Sequence, residues 1–301
     1  MFTKCARGPV RCFFRAGRPA SYTSGMPPRV LVSAPGAPPA PAAAAVSATA
    51  AAPGYSVLLA TEPAEIRAAQ RLRYQVFAAE LGAQLEPRGG QIDEDHFDPL
   101  CDHLVIRDDR TGGCVGTYRM LPPGRSGELY SDGEFQLARL AELRPGLVEA
   151  GRSCVHPAHR TGAVIGLMWA GIARYLHLAG YRWLAGCASV SLADGGAAAA
   201  ATWSLIQAKH LAPERRQVEP WRPWPVDAAT GAALPRASVV PPLLRGYLRL
   251  GAKVCGPPAH DPEFGTADFF VLLSLDDADP RYLRRFLGGG SPDVGSVGLV
   301  A

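Results

Sequence analysis

Disulfide and membrane signals are absent from this sequence. Its seven cysteines are an odd number and form no C-x-x-C pair, which argues against a disulfide framework and favours a reducing compartment. We expect them to serve as small buried hydrophobic residues. No apolar run is expected to reach the roughly 18 residues of a membrane-spanning helix. These absences favour a globular cytoplasmic protein, which at most lies peripherally on the inner face of the cell membrane.

Acidic residues are missing from the start of the chain. Lys4 and five arginines precede the first acid, Glu62, and the rest of the chain has slightly more acids than bases. The formal net charge of +4 therefore comes from the leader and does not predict a general basic face. We expect no nucleic-acid partner.

The beginning of the chain also lacks the composition of a folded domain. It has scattered arginines and ends in an Ala/Pro tract from Ala34 to Pro53, so we expect residues 1–53 to form a disordered leader. Such a leader can resemble a transit peptide, although translation from Met26 explains it equally well. The pattern predicts a folded domain over residues 54–287 and a flexible tail over residues 288–301.

Strand and helix signals alternate from Tyr55 onward. The first predicted helix has Pro63 near its start and Gly82 at its end, and it carries Arg73 among apolar residues. A hairpin follows, and then a strand–loop–helix–strand unit, so we predict an α/β (α+β) fold with a mixed central sheet flanked by helices. The predicted strands are Ser56–Leu59, His103–Arg107, Cys114–Leu121, Val148–Val155, Trp183–Val190 and Phe269–Leu275; further helices are predicted before Gly180, after Ala197 and from Leu243 to Leu250.

A dense acidic segment follows the first helix. It contains Asp93, Glu94, Asp95 and Asp98. An amine attacks a thioester only as the free base, so an enzyme that transfers an acyl group to an amine needs a proton acceptor and a pocket for a cation. These carboxylates could supply both. The alternatives are a solvated acidic turn or a cation-binding loop with His96, although the spaced glycine and terminal glutamate of a calcium loop are absent.

Two arginines and a glutamate occur on predicted strands. Glu149 and Arg152 are three residues apart, so they would face opposite sides of a regular strand unless a bulge at Gly151 brings them together. Arg119 ends an apolar strand and needs a carboxylate partner, for which Glu149 or Asp98 would serve. A bracing ion pair and a ligand contact are equally good interpretations of Arg119.

The loop from His156 to Ala163 connects a predicted strand to a predicted helix. Free backbone amides in the first turn of the helix, together with Arg160, favour a phosphate such as that of coenzyme A or of a carrier protein's phosphopantetheine. A plain connecting loop is the alternative. His156 and His159 have no third ligand nearby, so we predict no metal site.

Several longer motifs are distributed over the predicted domain. They are Leu72-Arg73-Tyr74 with Val76-Phe77, Asp95 to Asp98, Cys101-Asp102-His103-Leu104, Gly116-Thr117-Tyr118-Arg119, Tyr130-Ser131 with Glu134-Phe135, Gly151-Arg152-Ser153-Cys154-Val155-His156-Pro157, Gly186-Cys187-Ala188-Ser189, and Gly246-Tyr247-Leu248-Arg249-Leu250-Gly251-Ala252. Together they resemble the GNAT acyltransferase superfamily, and more closely the bacterial L-ornithine N-alpha-acyltransferases, over roughly residues 55–287.

The resemblance implies a GNAT-like fold and a lipid-forming reaction. A 3-hydroxyacyl group would pass from acyl carrier protein to the α-amine of L-ornithine, giving lyso-ornithine lipid. Acyl carrier protein and a small amino acid would be the partners, the phosphopantetheine thioester would be the donor, and no cofactor would be permanently bound.

The motifs also suggest which residues form the site. We predict catalytic roles for Glu149, Asp95 and Asp98, with Glu149 accepting the amine proton and the aspartates holding cationic groups of the acceptor. Predicted substrate-binding residues are Arg73, Phe77, Arg119 and Arg152; predicted contacts to the donor phosphopantetheine are Arg160, Gly162 and Ala163.

Three other functions are compatible with these residues. They are another N-acyl amino acid synthase, an enzyme like the acyl-homoserine lactone synthases, and a non-catalytic module that binds acyl carrier protein. The match from Gly246 to Ala252 argues against lactone synthesis. The loop from Arg160 to Ala163 has fewer glycines than the usual GNAT phosphate loop, which favours a carrier-protein donor over free coenzyme A.

Overall fold

The computed structural model describes residues 30–35, 54–85, 90–226, 240–279 and 281. In these residues the fold has nine strands and four α-helices. The strands are β1 (Val30–Pro35), β2 (Gly54–Leu59), β3 (Asp102–Asp108), β4 (Cys114–Leu121), β5 (Leu147–Val155), β6 (Trp183–Ser191), β7 (Lys253–Val254), β8 (Ala259–Asp261) and β9 (Thr266–Ser274). The helices are α1 (Pro63–Tyr74), α2 (Gly162–Ala179), α3 (Ala197–Lys209) and α4 (Pro242–Arg249).

The strands form one mixed sheet, which confirms the predicted fold class. Their order is β1-β2-β3-β4-β5-β6-β9-β7, and β8 also pairs with β9. Strands β5 and β6 are parallel and joined through α2, whereas the other pairs are antiparallel. The predicted hairpin and βαβ unit are both present.

The two faces of the sheet carry different layers. Val148 and Phe269 face a large apolar core that includes Ile172 and Leu176 of α2. Leu147 and Phe270, which point the opposite way, pack under the segment between β4 and β5. Helix α1 contacts β3, β4 and β5. The predicted site residues Arg119 and Glu149 therefore lie on the face covered by α1 and this connecting segment.

Helix α1 begins at Pro63, and the carboxylate of Glu65 accepts hydrogen bonds from the backbone N–H groups of Thr61 and Glu62. The helix continues as a π-helical segment, Gln75–Glu80. This helical segment is followed by Gly82, whose φ of +75° suits the end of a helix. This agrees with the predicted helix and buries Arg73 completely.

Helix α2 corrects one expectation about apolar runs. Its 18 residues have a mean hydropathy of 1.3, so by length and composition it could cross a membrane. However, 56% of the helix is buried inside the protein, and it contacts β1, β2 and β3. Its apolar character is therefore explained by its position in the core.

Strand β1 corrects part of the expected leader. Val30–Pro35 lies within residues 1–53, for which we expected no structure, yet it pairs antiparallel with β2. The segment VLVSAP has the β-branched and apolar residues that suit an added edge strand. The rest of the leader and the tail over residues 288–301 lie outside the described residues.

Strands β5 and β6 pair over a short distance and then separate. The pairing covers Leu147 to Glu149 of β5 with Trp183 to Ala185 of β6, whereas β6 continues along β9 to Ser191. Immediately beyond the last pair, a Cβ atom on Gly186 would lie 2.1 Å from the carbonyl oxygen of Ala150. Glycine thus permits the close approach of the two strands just before they diverge.

Candidate active site

Arg73 is the centre of a buried ion network. Its Nε donates to Asp93 Oδ2 at 2.7 Å, and its Nη1 donates to Asp98 Oδ1 at 2.8 Å. Nη2 donates to the second oxygen of Asp98 at 3.0 Å and also to the backbone carbonyl of Asp93. Because Arg73 is fully buried, each of these contacts compensates for lost hydration.

Two further arginines complete the network. Arg119 Nη1 donates to Asp95 Oδ1 at 2.6 Å and to Asp98 Oδ2 at 3.0 Å. Arg152 donates from Nη2 to Asp95 Oδ2 at 3.3 Å, and its Nε lies 3.4 Å from Asp93 Oδ2. Three arginines therefore face three aspartates.

The balance of charge bears on the roles expected for the aspartates. Burial opposes ionisation of Asp98, but the hydrogen bond from Arg73 and the charges of Arg73 and Arg119 outweigh it and hold the pKa of Asp98 well below its usual range. Asp95 and Asp98 are thus both paired with arginines, and the expected role of these aspartates in holding a cationic acceptor stays a prediction. The bracing ion pair is the interpretation of Arg119 that the contacts favour.

A bulge in β5 brings Arg152 into the network. Thr117 pairs with Cys154 and Arg119 pairs with Gly151, so β5 has one more residue than β4 in this interval. Arg152 itself adopts a left-handed φ of +52°, which costs a non-glycine residue roughly 1–2 kcal/mol. The expected bulge is present, but its strained residue is Arg152 and not Gly151.

Aromatic rings enclose the guanidinium of Arg152. Its Cζ lies 4.9 Å from the ring centroid of Tyr130 and 5.1 Å from that of Phe264. Phe77 is half-buried and meets Phe264 edge-on, with 5.9 Å between ring centroids. The predicted binding residues Arg152 and Phe77 are therefore connected through Phe264, a residue that sequence analysis did not select.

Glu149 is the last residue of β5 that pairs with β6. Its Oε1 accepts from the backbone N–H of Ser131 at 2.9 Å and from the hydroxyl of Ser131 at 2.6 Å, while its Oε2 accepts from the N–H of Tyr130 at 2.7 Å. Burial raises the pKa of Glu149, and the hydrogen bonds from Ser131 and Tyr130 oppose that rise. A buried carboxylate with a raised pKa, at the point where two strands stop pairing, can accept a proton.

Glu149 is separate from the arginine network. Among the described residues no arginine makes an ion pair with it, and the partners of Arg119 are Asp95 and Asp98. Of the two partners expected for Arg119, Asp98 is confirmed and Glu149 is not.

The start of α2 has a different arrangement from the one predicted. Arg160 forms a two-pronged ion pair with Glu80, with both N–O distances at 2.6 Å, and its Nε donates to the carbonyl of Val155. Thr161 caps the helix by accepting from the N–H of Val164 at 3.4 Å. The first N–H groups of a helix have no partner within it, so those of Gly162 and Ala163 remain suited to an anion.

Sequence analysis missed a second group of carboxyl side chains. One carboxyl oxygen each from Glu134 and Asp268 and the Sγ of Cys187 lie within 4.8 Å of one another. Glu134 and Cys187 occur in motifs already noted, but only the lone acid within the apolar run of β9, Asp268, signalled an unusual buried charge.

Comparisons with known proteins identify the family. The family model described as "Acetyltransferase (GNAT) domain" matches residues 72–170, which include the arginine network and Glu149. The chain is 36% identical to the L-ornithine N(alpha)-acyltransferase of Rhodobacter capsulatus over 259 residues, covering 80% of this chain and 100% of that relative. The chain belongs to the L-ornithine N(alpha)-acyltransferase family.

A second relative from the same family agrees with this assignment. The family member from Brucella abortus is 34% identical over 252 residues, which cover 76% of this chain and 88% of the relative. The crystal structure of the AHL synthase LasI has a TM-score of 0.45 and 13% identity, covering 79% of this chain and 96% of that one. As a member of the L-ornithine N(alpha)-acyltransferase family with a GNAT domain, the protein is an acyltransferase.

Proposed function

We propose that the protein transfers a (3-hydroxy)acyl group from acyl carrier protein to the α-amine of L-ornithine, giving lyso-ornithine lipid. The names of its relatives support ornithine as the acceptor. The observation that carries the chemistry is the position of Glu149, a buried carboxylate held at the point where β5 and β6 separate.

The acyl thioester lies in the gap between the two strands in this proposal. The edge of β5 beyond Glu149 has backbone N–H groups that no longer pair with β6, and one of them stabilises the oxyanion that forms on the thioester carbonyl. Glu149 accepts a proton from the ammonium or from the attacking amine, directly or through water. The C–N bond then forms and the C–S bond breaks. The phosphopantetheine thiolate takes up a proton released by the reacting nitrogen, directly or by way of Glu149, and leaves as the thiol.

The arginine network positions this machinery. Arg119 and Gly151 are opposite each other on β4 and β5, so the ion pairs of Arg119 fix the strand next to Glu149. We assign Arg73, Asp95 and Asp98 to the same positioning role. Arg152 and Phe77, with the aromatic contacts around them, form the nearest wall for the acceptor.

The donor phosphate is assigned to the first turn of α2. The helix dipole and the N–H groups of Gly162 and Ala163 favour an anion at this position. Arg160 reaches the donor by giving up its ion pair with Glu80. The side chain of Glu80 is about one third exposed, so breaking this ion pair costs little free energy. We place the reaction in the cytoplasm, where the enzyme meets the carrier protein and the membrane surface that receives its product.

The test is product identification with purified full-length protein. Acyl carrier protein thioesters and the matching coenzyme A thioesters, with and without a 3-hydroxyl group, are incubated with individual amino acids. Mass spectrometry should find N-acylornithine from the carrier-protein donor. A product only from another amino acid or from S-adenosylmethionine would contradict the proposed acceptor, and binding of the carrier protein without any product would indicate a non-catalytic module.

A further inference from the structure

Two buried carboxyl groups beside Glu149 take no part in the arginine network. Asp268 is 3% exposed, and its Oδ1 accepts a hydrogen bond from the hydroxyl of Thr266 at 2.9 Å. Both carboxyl oxygens of Glu134 are buried, and the neighbours that can share a hydrogen bond with them are the Cys187 thiol and the Asp268 carboxyl group. Two carboxyl groups that face each other in the interior need a shared proton or a bound cation between them.

The fold places this pair next to the proposed proton acceptor. Glu134 follows the 3₁₀ turn Tyr130–Gly133, whose first N–H groups hold Glu149. Asp268 comes from β9, where its position is opposite Ser189 of β6. Cys187 lies between them on β6, two residues after the partner of Glu149, so its side chain shares the same face of the sheet.

One hydroxyl group connects the two sites. The Oγ of Ser131 is 2.6 Å from Glu149 Oε1 and 3.3 Å from Cys187 Sγ. Cys187 Sγ in turn lies within 4.8 Å of carboxyl oxygens of Glu134 and Asp268. A molecule with two amino groups on a short aliphatic chain could therefore present one to Glu149 and the other to the carboxyl pair.

The electrostatics of the pair favour a cation. Burial raises the pKa of Glu134, and the nearby charge of Asp268 raises it further. Burial likewise raises the pKa of Asp268, to which the charge of Asp261 adds. The two carboxyl groups therefore share a proton, and a positively charged ligand can replace that proton and donate hydrogen bonds to both of them.

The same chemistry makes an ammonium group a better ligand than a metal ion. Burial raises the pKa of the Cys187 thiol well above its usual value, and the neighbouring carboxylates add to the effect, so the thiolate that zinc requires is disfavoured. Calcium and magnesium prefer more oxygen ligands than two carboxylates provide.

We propose that Glu134 and Asp268 bind the side-chain ammonium group of the amino acid acceptor, an inference that rests on the proposed function. The pair would then select diamino acids over amino acids with an uncharged side chain. This role is the one expected for Asp95 and Asp98, whose charges are balanced by arginines.

The test compares L-ornithine with L-norvaline, which has the same carbon chain without the second amine. We measure kcat/KM for both acceptors with saturating acyl carrier protein thioester in the wild type, E134Q and D268N. The matched control is E142Q, which makes the same change at an exposed residue between β4 and β5. In E134Q and D268N the preference for ornithine should fall about 10- to 100-fold, whereas E142Q should retain it.

A binding measurement separates this inference from the proposed function. Calorimetry with L-ornithine alone should show weaker binding to E134Q and D268N by a similar factor, and thermal unfolding should show that both variants are folded. If E134Q and D268N bind ornithine more weakly but the wild type does not acylate ornithine, the proposed function is contradicted and the inference is retained. Undiminished ornithine preference and binding in both folded variants would overturn the inference alone. The same conclusion would follow if calorimetry showed that the wild type binds Mn²⁺ or Zn²⁺ and that E134Q and D268N lose the metal but bind ornithine as the wild type does.

Discussion

Ser131 holds Glu149 by two hydrogen bonds to one carboxyl oxygen, at the residue where β5 and β6 stop pairing. A connecting segment outside the sheet therefore fixes the carboxylate that we assign to proton transfer. Because the hydroxyl of Ser131 opposes the rise in the pKa of Glu149, it keeps the base available at lower pH.

Replacing Ser131 by alanine should shift the pH dependence of the enzyme. Without the hydroxyl the pKa of Glu149 rises further, so a larger fraction of the base is protonated at a given pH. The acidic limb of kcat/KM against pH should move up by about 0.5–1 pH unit, since one hydrogen bond is worth about 1 kcal/mol. S126A, on the neighbouring exposed turn, should leave the profile in place; an unmoved limb in S131A would argue against Glu149 as the titrating base.

Gly186 should be intolerant of even a methyl group. The Cβ of alanine would overlap the carbonyl of Ala150, and backbone atoms cannot move aside as a side chain can. We expect G186A to lose about 1–3 kcal/mol of unfolding free energy, together with activity. G166A, in an unobstructed position on α2, should be as stable as the wild type or more so; equal denaturation midpoints for G186A and the wild type would contradict the close approach.

Arg73 should contribute mainly to stability. R73M leaves Asp93 and Asp98 buried without their central partner, at a cost of roughly 3–5 kcal/mol in unfolding free energy. The exposed ion pair of Arg67 with Glu94 provides the control, because R67M should change stability by less than about 1 kcal/mol. Urea denaturation of both variants checks this.

The sign of the pH effect follows from Asp98. Its pKa is lowered by folding, so its contribution to stability is present above the unfolded value near 3.8 and is lost as pH falls toward the folded value. The stability difference between the wild type and R73M should therefore narrow below about pH 4. A constant difference down to pH 2 would mean that the ion pairs of Asp98 are not its source.

The ion pair between Arg160 and Glu80 provides a test of donor binding. If Arg160 contacts the donor phosphate, R160A should raise KM for the acyl carrier protein thioester several-fold, whereas E80Q should lower it or leave it unchanged because the arginine is released. R139A, which removes an exposed arginine between β4 and β5, is the control. Parallel increases in KM for R160A and E80Q would show instead that the pair only stabilises the loop.

Much of the fold could be predicted from the sequence. Periodicity located α1, α2 and the βαβ unit, because apolar spacing directly reflects which face of an element is buried. Strand β1 was missed because a six-residue strand in an Ala/Pro-rich leader carries a weak signal, and its pairing depends on the edge of β2.

The site was predicted as a set of residues but not as a set of contacts. Arg73, Asp95, Asp98, Arg119 and Arg152 do come together, yet the spacing of charges along a chain does not reveal which carboxylate each arginine meets. That outcome depends on the bulge at Arg152 and on the loop after α1. Glu134 and Asp268 were overlooked for the same reason, since they are far apart along the chain and meet only in the folded protein.

The most direct test of the account is single-turnover acyl transfer by E149Q. Glutamine keeps the shape of the side chain but cannot accept the amine proton, so we predict a loss of about 100-fold or more in the rate of N-acylornithine formation, with ornithine binding close to that of the wild type. Because the NH₂ group of glutamine faces the backbone N–H of Tyr130 or Ser131, we expect a folded protein that is less stable by about 1–3 kcal/mol. A folded E149Q protein that forms product at the wild-type rate would contradict the central claim that this carboxylate is the base.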